Sequence, residues 1–436
     1  MEVVTLLRAG HIGFNSRTLK YCAFGLLFLL ALVLRLLLYK SINYDYVHYI
    51  SPWYDHIKSN GGFAALKDNF YNYNPPYLYL IALVTYLPIP EMLALKGISI
   101  VFDFVLAFFT YLIIHLKYKR ATAACIGALV LLFAPTIVLN SAVWGQCDAI
   151  YTAFCLGCLF FLLKDRGGWA CAFFSLAISF KLQAIFVLPV LLIVLIKRKT
   201  ALKDYLKYLL LILAIFFVLL IPTLMAGRSL GSILSVYPAQ IATGGVGTDI
   251  PGAPVVNASQ AANVFLPTNL TYDAPSFYQW LPVAPGMYWM YAGILLAGLM
   301  VLLVSILVWT SKIALTPAII VKIAFVLVLA IPFLLPRMHE RYFYVADVVS
   351  IIYAFYTPRF YYIAIMVQIC SFSSYVPFLY HVLLFDLRVI AGVVLVVVLI
   401  TLADLVVTLF PDLLDKLKGR FSTDLAQRAL QQQPRD

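Results

Sequence analysis

Four short clusters in this chain carry side chains able to do chemistry, and each stands at the edge of an apolar run. The first is Asn43-Tyr44-Asp45-Tyr46-Val47-His48-Tyr49. A carboxylate just beyond a helix end, among aromatic rings, suits a general base; a solvated loop acid is the plainer reading of Asp45. The second is Trp144-Gly145-Gln146-Cys147-Asp148, where Gly permits a turn and Trp suits an interface. There Asp148 caps a helix, or else Gln146 and Asp148 bind hydroxyl groups or orient Asp45. The third is Lys181-Leu182-Gln183. Its lysine either snorkels to headgroups or holds a phosphate. The fourth, Arg337-Met338-His339-Glu340-Arg341-Tyr342, is the densest. Guanidinium groups make permanent, bidentate contacts to phosphate. His339 adds a second bond, and the helix that follows adds a partial positive charge at its N-terminus. Glu340 is expected to pair with a neighbouring cation. The plainer reading is a rim that binds lipid headgroups.

The elements that must position these clusters are apolar helices. Of 436 residues, 64% are hydrophobic and 11% charged, and the mean hydropathy is +0.96. That composition predicts an all-α polytopic membrane protein. The net charge of +12 invites a nucleic-acid partner, but the basic residues sit in short loops as the positive-inside rule expects. Residues 1–20 are basic and 21–38 apolar, like a signal peptide. The run continues to Tyr39-Lys40 without a small-residue cleavage site, so it reads as a retained first helix.

Charge also sets the orientation. Residues 76–90 are apolar but short, between Pro75-Pro76 and Pro88-x-Pro90, whereas about 20 residues are needed to cross a bilayer. If the segment lies along the interface, Lys117-Tyr118-Lys119-Arg120, Lys164, Arg166, Lys197-Arg198-Lys199, Lys203, Lys312 and Arg359 all fall on the cytoplasmic side. About twelve spans follow: 21–39, 95–116, 121–139, 149–164, 168–181, 184–197, 204–225, 286–309, 315–335, 342–357, 360–380 and 389–410. All four clusters then lie on the outer face. Domain boundaries fall at 1–225 for an N-terminal transmembrane module, with its first outer loop at 41–90, and at 226–285 for a second long outer loop. Residues 286–410 hold the C-terminal spans and 411–436 a cytoplasmic tail with a surface helix over 412–430. A loop as long as 226–285 is usually functional; its sequons at Asn257 and Asn269 are short patterns that recur by chance. Deep in the second span, Asp103 needs a partner, by salt bridge or hydrogen bond. Six of the seven cysteines lie inside apolar runs, and Cys155-x-x-Cys158 lacks a second ligand pair, so packing is expected instead of a metal or disulfide framework.

The clusters jointly offer one carboxylate base, a cationic cradle for phosphate, and aromatic and amide walls of the kind that recognise sugars. There is no Gly-rich nucleotide loop of the Walker or Rossmann type, so a lipid-linked sugar phosphate fits better than a nucleotide sugar. In this order and placement the motifs resemble those of the GT-C superfamily of polyprenyl-phosphate-sugar-dependent glycosyltransferases. They are Tyr44-Asp45-Tyr46, Tyr73-Asn74-Pro75-Pro76-Tyr77, Trp144-Gly145-Gln146-Cys147-Asp148, Phe180-Lys181-Leu182-Gln183 and Arg337-Met338-His339-Glu340-Arg341-Tyr342. The combination is similar to bacterial relatives of the second mannosyltransferase of GPI-anchor synthesis and to the endoplasmic-reticulum glucosyltransferases that extend the lipid-linked N-glycan precursor.

The resemblance implies a GT-C fold with interfacial helices in the first outer loop. It also implies inverting transfer of mannose or glucose from a polyprenyl-phosphate sugar to a glycan or glycolipid acceptor. The face would be the outer or lumenal one, in the plasma membrane of a bacterium or the endoplasmic reticulum of a eukaryote. Asp45 would be the base. Arg337, His339, Arg341 and Lys181 would hold the donor phosphate. Tyr46, His48, Asn74, Trp144, Gln146, Asp148, Gln183 and Glu340 would contact the sugar or support the site. No cofactor or metal is expected, since the single acid at 45 departs from the paired Asp-x-Asp of the metal-dependent oligosaccharide-transferring branch. Two rivals stand beside this: a transporter or flippase of lipid-linked sugars, for which Asp103, Asp347 and Asp404 would be the intramembrane charges, and a non-catalytic lipid-binding subunit.

Overall fold

A computed structural model describes residues 16–243, 270–281 and 286–412. Both sequon asparagines, half of the loop 226–285 and all but the first residue of the tail helix expected over 412–430 lie outside the described residues. In chain order the helices are α1 (Ser16–Leu38), α2 (Ser51–Ser59), α3 (Pro75–Thr85), α4 (Glu91–Tyr118), α5 (Ala121–Phe133), α6 (Pro135–Val138), α7 (Asp148–Leu163), α8 (Gly167–Phe180), α9 (Leu188–Lys197) and α10 (Leu202–Val218). They continue with α11 (Ile221–Ala226), α12 (Leu230–Leu234), α13 (Val236–Thr243), α14 (Gly286–Thr310), α15 (Pro317–Leu334), α16 (Tyr344–Tyr356), α17 (Tyr361–Tyr380) and α18 (Leu387–Leu409). Two two-residue strands, β1 (Thr271–Tyr272) and β2 (Met338–His339), pair in parallel.

Among the described residues, seven helices are long and apolar enough to cross a membrane, or eight if the bent pair α5–α6 with its π-helical extension to Trp144 counts as one span. The bend of 55° falls at Pro135, which cannot donate a backbone hydrogen bond and pushes Ala134 out of the helical region. The segments expected as spans at 149–164, 168–181, 184–197 and 342–357 are helical but shorter, none reaching 18 residues unbroken. Several helices turn apolar residues outward, among them Leu26, Leu37, Leu202, Leu210, Leu299 and Leu302. An exposed apolar surface that wide belongs in lipid. The chain is therefore an all-α, multi-pass membrane protein.

Sequence explains the local ends. Thr316 Oγ1 accepts from the Ile319 N–H at 3.3 Å and Pro317 opens α15, a cap followed by a proline that needs no donor. Pro75-Pro76 opens α3 with prolines alone, since the Asn74 side chain makes no capping hydrogen bond. At eleven residues, α3 is about 16 Å long, too short for a hydrocarbon core of about 30 Å.

Two cores result. The larger is the interior of the spanning helices, with α15 and α16 at its centre and Cys155, Cys158 and Cys171 among its small packing residues. The smaller is built by the first outer segment. Tyr46, Ile50, Trp53, Ile57, Leu66, Tyr77 and Ile81 close around Leu95 of α4 and Ile150 of α7. This second core fixes residues 43–82 as a platform over one end of the bundle. The basic residues gather at the other end. Lys117 donates to the Phe355 and Tyr356 carbonyls, Lys197 to that of Ser311, and Arg359 pairs with Asp404.

Candidate functional site

Asp45 is positioned by two neighbours that sequence distance hides. Asn43 Nδ2 donates to the carbonyls of Val143 and Trp144 at 3.0 and 2.9 Å. Lys96, near the start of α4, donates to the carbonyls of Ser41 and Val143 at 2.5 and 2.7 Å. The end of the first helix is thereby tied to the turn after Trp144. That turn needs Gly145: its φ is +80°, and a Cβ there would stand 3.2 Å from the Lys96 side chain. With the turn in place, Trp144 Nε1 and Gln146 Nε2 both donate to Asp45 Oδ2, at 2.8 and 2.5 Å. Oδ1 carries no protein hydrogen bond among the described residues. Trp144, expected at an interface, is fully buried and stacked on Phe378 at 4.7 Å.

Arg341 reaches the same carboxylate. Its guanidinium stands 3.7 Å from Asp45 Oδ2 and 3.4 Å from Glu340 Oε1, over the Trp144 ring at 5.4 Å. Burial works against its charge, but Asp45, Tyr73 and Glu340 outweigh that and hold its pKa above the ordinary arginine range. Its Nε is buried and has no acceptor among the described residues. Glu340 is itself buried, and burial pushes its carboxyl up to about 8 against the opposing pull of Arg341. His339 lies 4.0 Å from Glu340 and stacks on Tyr272 at 4.6 Å.

Lys181 is the second buried cation. It pairs with Asp148, which also accepts from Asn140 Nδ2 at 2.9 Å. The rings of Tyr73, Tyr151 and Tyr342 lie 5.7 to 5.9 Å from its ammonium. Burial disfavours its charge; Asp148 nevertheless keeps its pKa well above that of an ordinary lysine.

These groups face one cavity of about 360 Å³. Asp45, Gln146, Lys181, Gln183, His339, Glu340 and Arg341 line it, together with aromatic residues that include Trp53, Tyr73 and Tyr272. The other residues singled out in the sequence stand elsewhere. Trp144 and Asp148 support the wall from behind, through Asp45 and Lys181. Tyr46 turns into the smaller core and donates to Glu91 at 2.8 Å. His48 stacks on Tyr44 and bonds its carbonyl. Asn74 donates to the Ser179 carbonyl at 2.7 Å and so fastens α3 to α8. Arg337 lies beside Tyr272 and is not on the cavity wall. The reason is backbone geometry: Arg337 adopts a φ of +58° and its N–H bonds the Leu270 carbonyl at 2.7 Å. That reversal starts the β1–β2 pairing and hands His339 and Arg341 to the cavity instead.

Among the lining residues that the sequence does not single out are the polar side chains of Asn72, Gln240, Thr271 and Asp273. The last two arrive with a strand of two residues, too short to show any periodicity. Asp103 has the partners it required, Arg35 at 2.7 Å and Ser141 at 2.5 Å. Arg35 was legible as the one charge inside the first apolar run. Among the described residues, no group of three or more His, Cys, Asp and Glu side chains is placed to hold a metal ion. As for relatives, no known family model matches the chain, and no curated protein matches it in sequence.

Proposed function

We propose that this chain is a GT-C type membrane glycosyltransferase with about twelve spans and its site on the non-cytoplasmic face. It transfers mannose or glucose, with inversion, from a polyprenyl-phosphate sugar to a hydroxyl of a glycan or glycolipid. One arrangement carries the reading: a carboxylate with an unengaged oxygen and a largely buried guanidinium stand 3.7 Å apart in one cavity.

In the reaction, the acceptor O–H attacks the anomeric carbon and its proton passes to Asp45. The bond between that carbon and the phosphate oxygen breaks, and the electron pair leaves with the polyprenyl phosphate. Arg341, whose Nε has no acceptor, takes the phosphate and releases Asp45, which Trp144 and Gln146 keep in place. Lys181 stays anchored on Asp148 and offers its remaining N–H donors, and His339 adds another. Fixed cations stabilise charge that grows on the leaving group. The basic residues at the opposite end of the bundle support the outer placement of the site.

The test uses purified protein in lipid nanodiscs, radiolabelled polyprenyl-phosphate mannose or glucose, and a lipid and glycan extract of the source membranes. Label should move to an acceptor, with release of polyprenyl phosphate, in the presence of EDTA. If neither donor binds and no label moves, the reading fails.

A further inference from the structure

The proposed chemistry leaves three amide side chains of the cavity unused, and two of them, unlike Gln240, have unmet acceptors. Asn72 and Gln183 both line it, and the side-chain oxygens of both are buried without a hydrogen-bond donor among the described residues. Gln183 is only 8% exposed. A buried acceptor left unpaired is costly, and native proteins keep few of them. Hydrogen bonds link the segments that carry the two residues. Gln240 Nε2 donates to the Asn72 carbonyl at 2.6 Å, Asn74 bonds the Ser179 carbonyl, and Tyr237 bonds that of Ile178. Residues 72–74 thus run along the end of α8 that leads into Lys181 and Gln183. The Tyr73 ring, 5.7 Å from the Lys181 ammonium, gives this part of the cavity an aromatic wall.

The unmet groups of the cavity are of two kinds. Arg341 Nε is a donor that needs an anion; Asn72 Oδ1 and Gln183 Oε1 are acceptors that need O–H groups. A hexose joined to a phosphate has both. We propose that Asn72 and Gln183 read the hydroxyls of the transferred hexose, with Tyr73 as the wall beside it, and so set which hexose is accepted. This rests on the glycosyltransferase reading.

The experiment measures binding of farnesyl phosphate, farnesyl-phosphate mannose and farnesyl-phosphate glucose to the full chain in nanodiscs. The wild type should prefer one hexose over the other and over farnesyl phosphate. Gln183→Ala and Asn72→Ser should each lower that preference by about tenfold, the loss of one buried hydrogen bond, with farnesyl phosphate bound as before. Retained farnesyl phosphate binding shows that the variant is folded, and if only one variant passes, that one decides. An unchanged preference in a folded variant, or a wild type that binds both hexoses and farnesyl phosphate equally, overturns the subsite and leaves the glycosyltransferase reading standing. A wild type that binds none of the three overturns both.

Discussion

Two aspartates at opposite ends of α16 are held among cations and differ in what is left over. Asp404 is met beyond the C-terminal end of the helix. Arg359 takes its Oδ1, while Lys322 and Tyr353 take its Oδ2 at 2.8 and 2.9 Å. Thr408 takes a further Lys322 hydrogen at 2.7 Å. Asp45 is met before the N-terminal end. Its three neighbours, Trp144, Gln146 and Arg341, all crowd Oδ2. In the sequence Asp45 stands in a polar cluster just past a helix, whereas Asp404 is a lone acid inside an apolar run. Geometry separates them: one carboxylate is spent on holding helices together, the other is held so that an oxygen stays available.

The sharpest way to break that contrast is to neutralise each acid. Asp45→Asn should reduce sugar transfer by about 10²–10⁴-fold, the usual worth of a general base, with donor binding retained. Asp404→Asn leaves Lys322 and Arg359 facing each other without a counter-charge. It should cost on the order of 3–5 kcal/mol of stability and leave turnover per folded molecule unchanged. A rate near normal in Asp45→Asn removes the base assignment. An Asp404→Asn protein with a normal thermal midpoint and no transfer removes the contrast.

The two arginines extend the comparison. The Arg341 side chain is 12% exposed between two carboxyl groups, whereas the Arg359 side chain is 62% exposed. Arg341→Gln should weaken binding of a polyprenyl-phosphate sugar by about 30-fold or more, at roughly 2–5 kcal/mol for a buried charge contact. Arg359→Gln should cost no more than about 1 kcal/mol of stability and leave donor binding alone. Equal effects on binding would mean that Arg341 only braces the fold.

Glu340 gives the site a pH dependence of its own. Its folded pKa of about 8 lies above the ordinary value of 4.5, so between those limits the folded chain binds the extra proton. The stability this confers is complete below the ordinary value and is lost as pH rises through the folded one. Glu340→Gln keeps the neutral shape and removes the titration. Its thermal midpoint should gain on the wild type from about pH 5 to about pH 9, by roughly a few kcal/mol of stability across that window. A constant gap between the two proteins would mean that Glu340 titrates normally.

What could be read from the sequence had local signals. Asp45, Gln146, Lys181, His339, Glu340 and Arg341 stand in polar clusters against apolar runs, and they share one cavity. The long helices announce themselves by continuous hydropathy, and α3 by its proline brackets. Other features depend on contacts that leave no periodic trace. That Lys181 would be matched by Asp148, and Arg337 turned aside by a left-handed backbone, follows from packing and pairing across more than 30 residues. Arg337-x-His339-x-Arg341 looks like three groups on one surface because alternation suggests it. The positive φ at Arg337 breaks that alternation at its first member.

The smallest expected effects come from single hydrogen bonds on the two aspartates, and they test the contrast most finely. Tyr353→Phe removes one of three groups on Asp404 and keeps the ring, whose centroid lies 4.9 Å from that of Phe325. It should cost about 1 kcal/mol of stability with no change in transfer, because Lys322 and Arg359 still neutralise the acid. Trp144→Phe removes one of two neutral donors on Asp45 while leaving an aromatic ring against Tyr375 and Phe378. Stability should fall by a similar amount, but here transfer should fall too, by about tenfold, since a carboxylate held by Gln146 alone can swing toward Arg341 and away from the acceptor. A kinetic cost at Trp144 with none at Tyr353, at matched thermal midpoints, distinguishes an acid that is aimed from an acid that is merely buried.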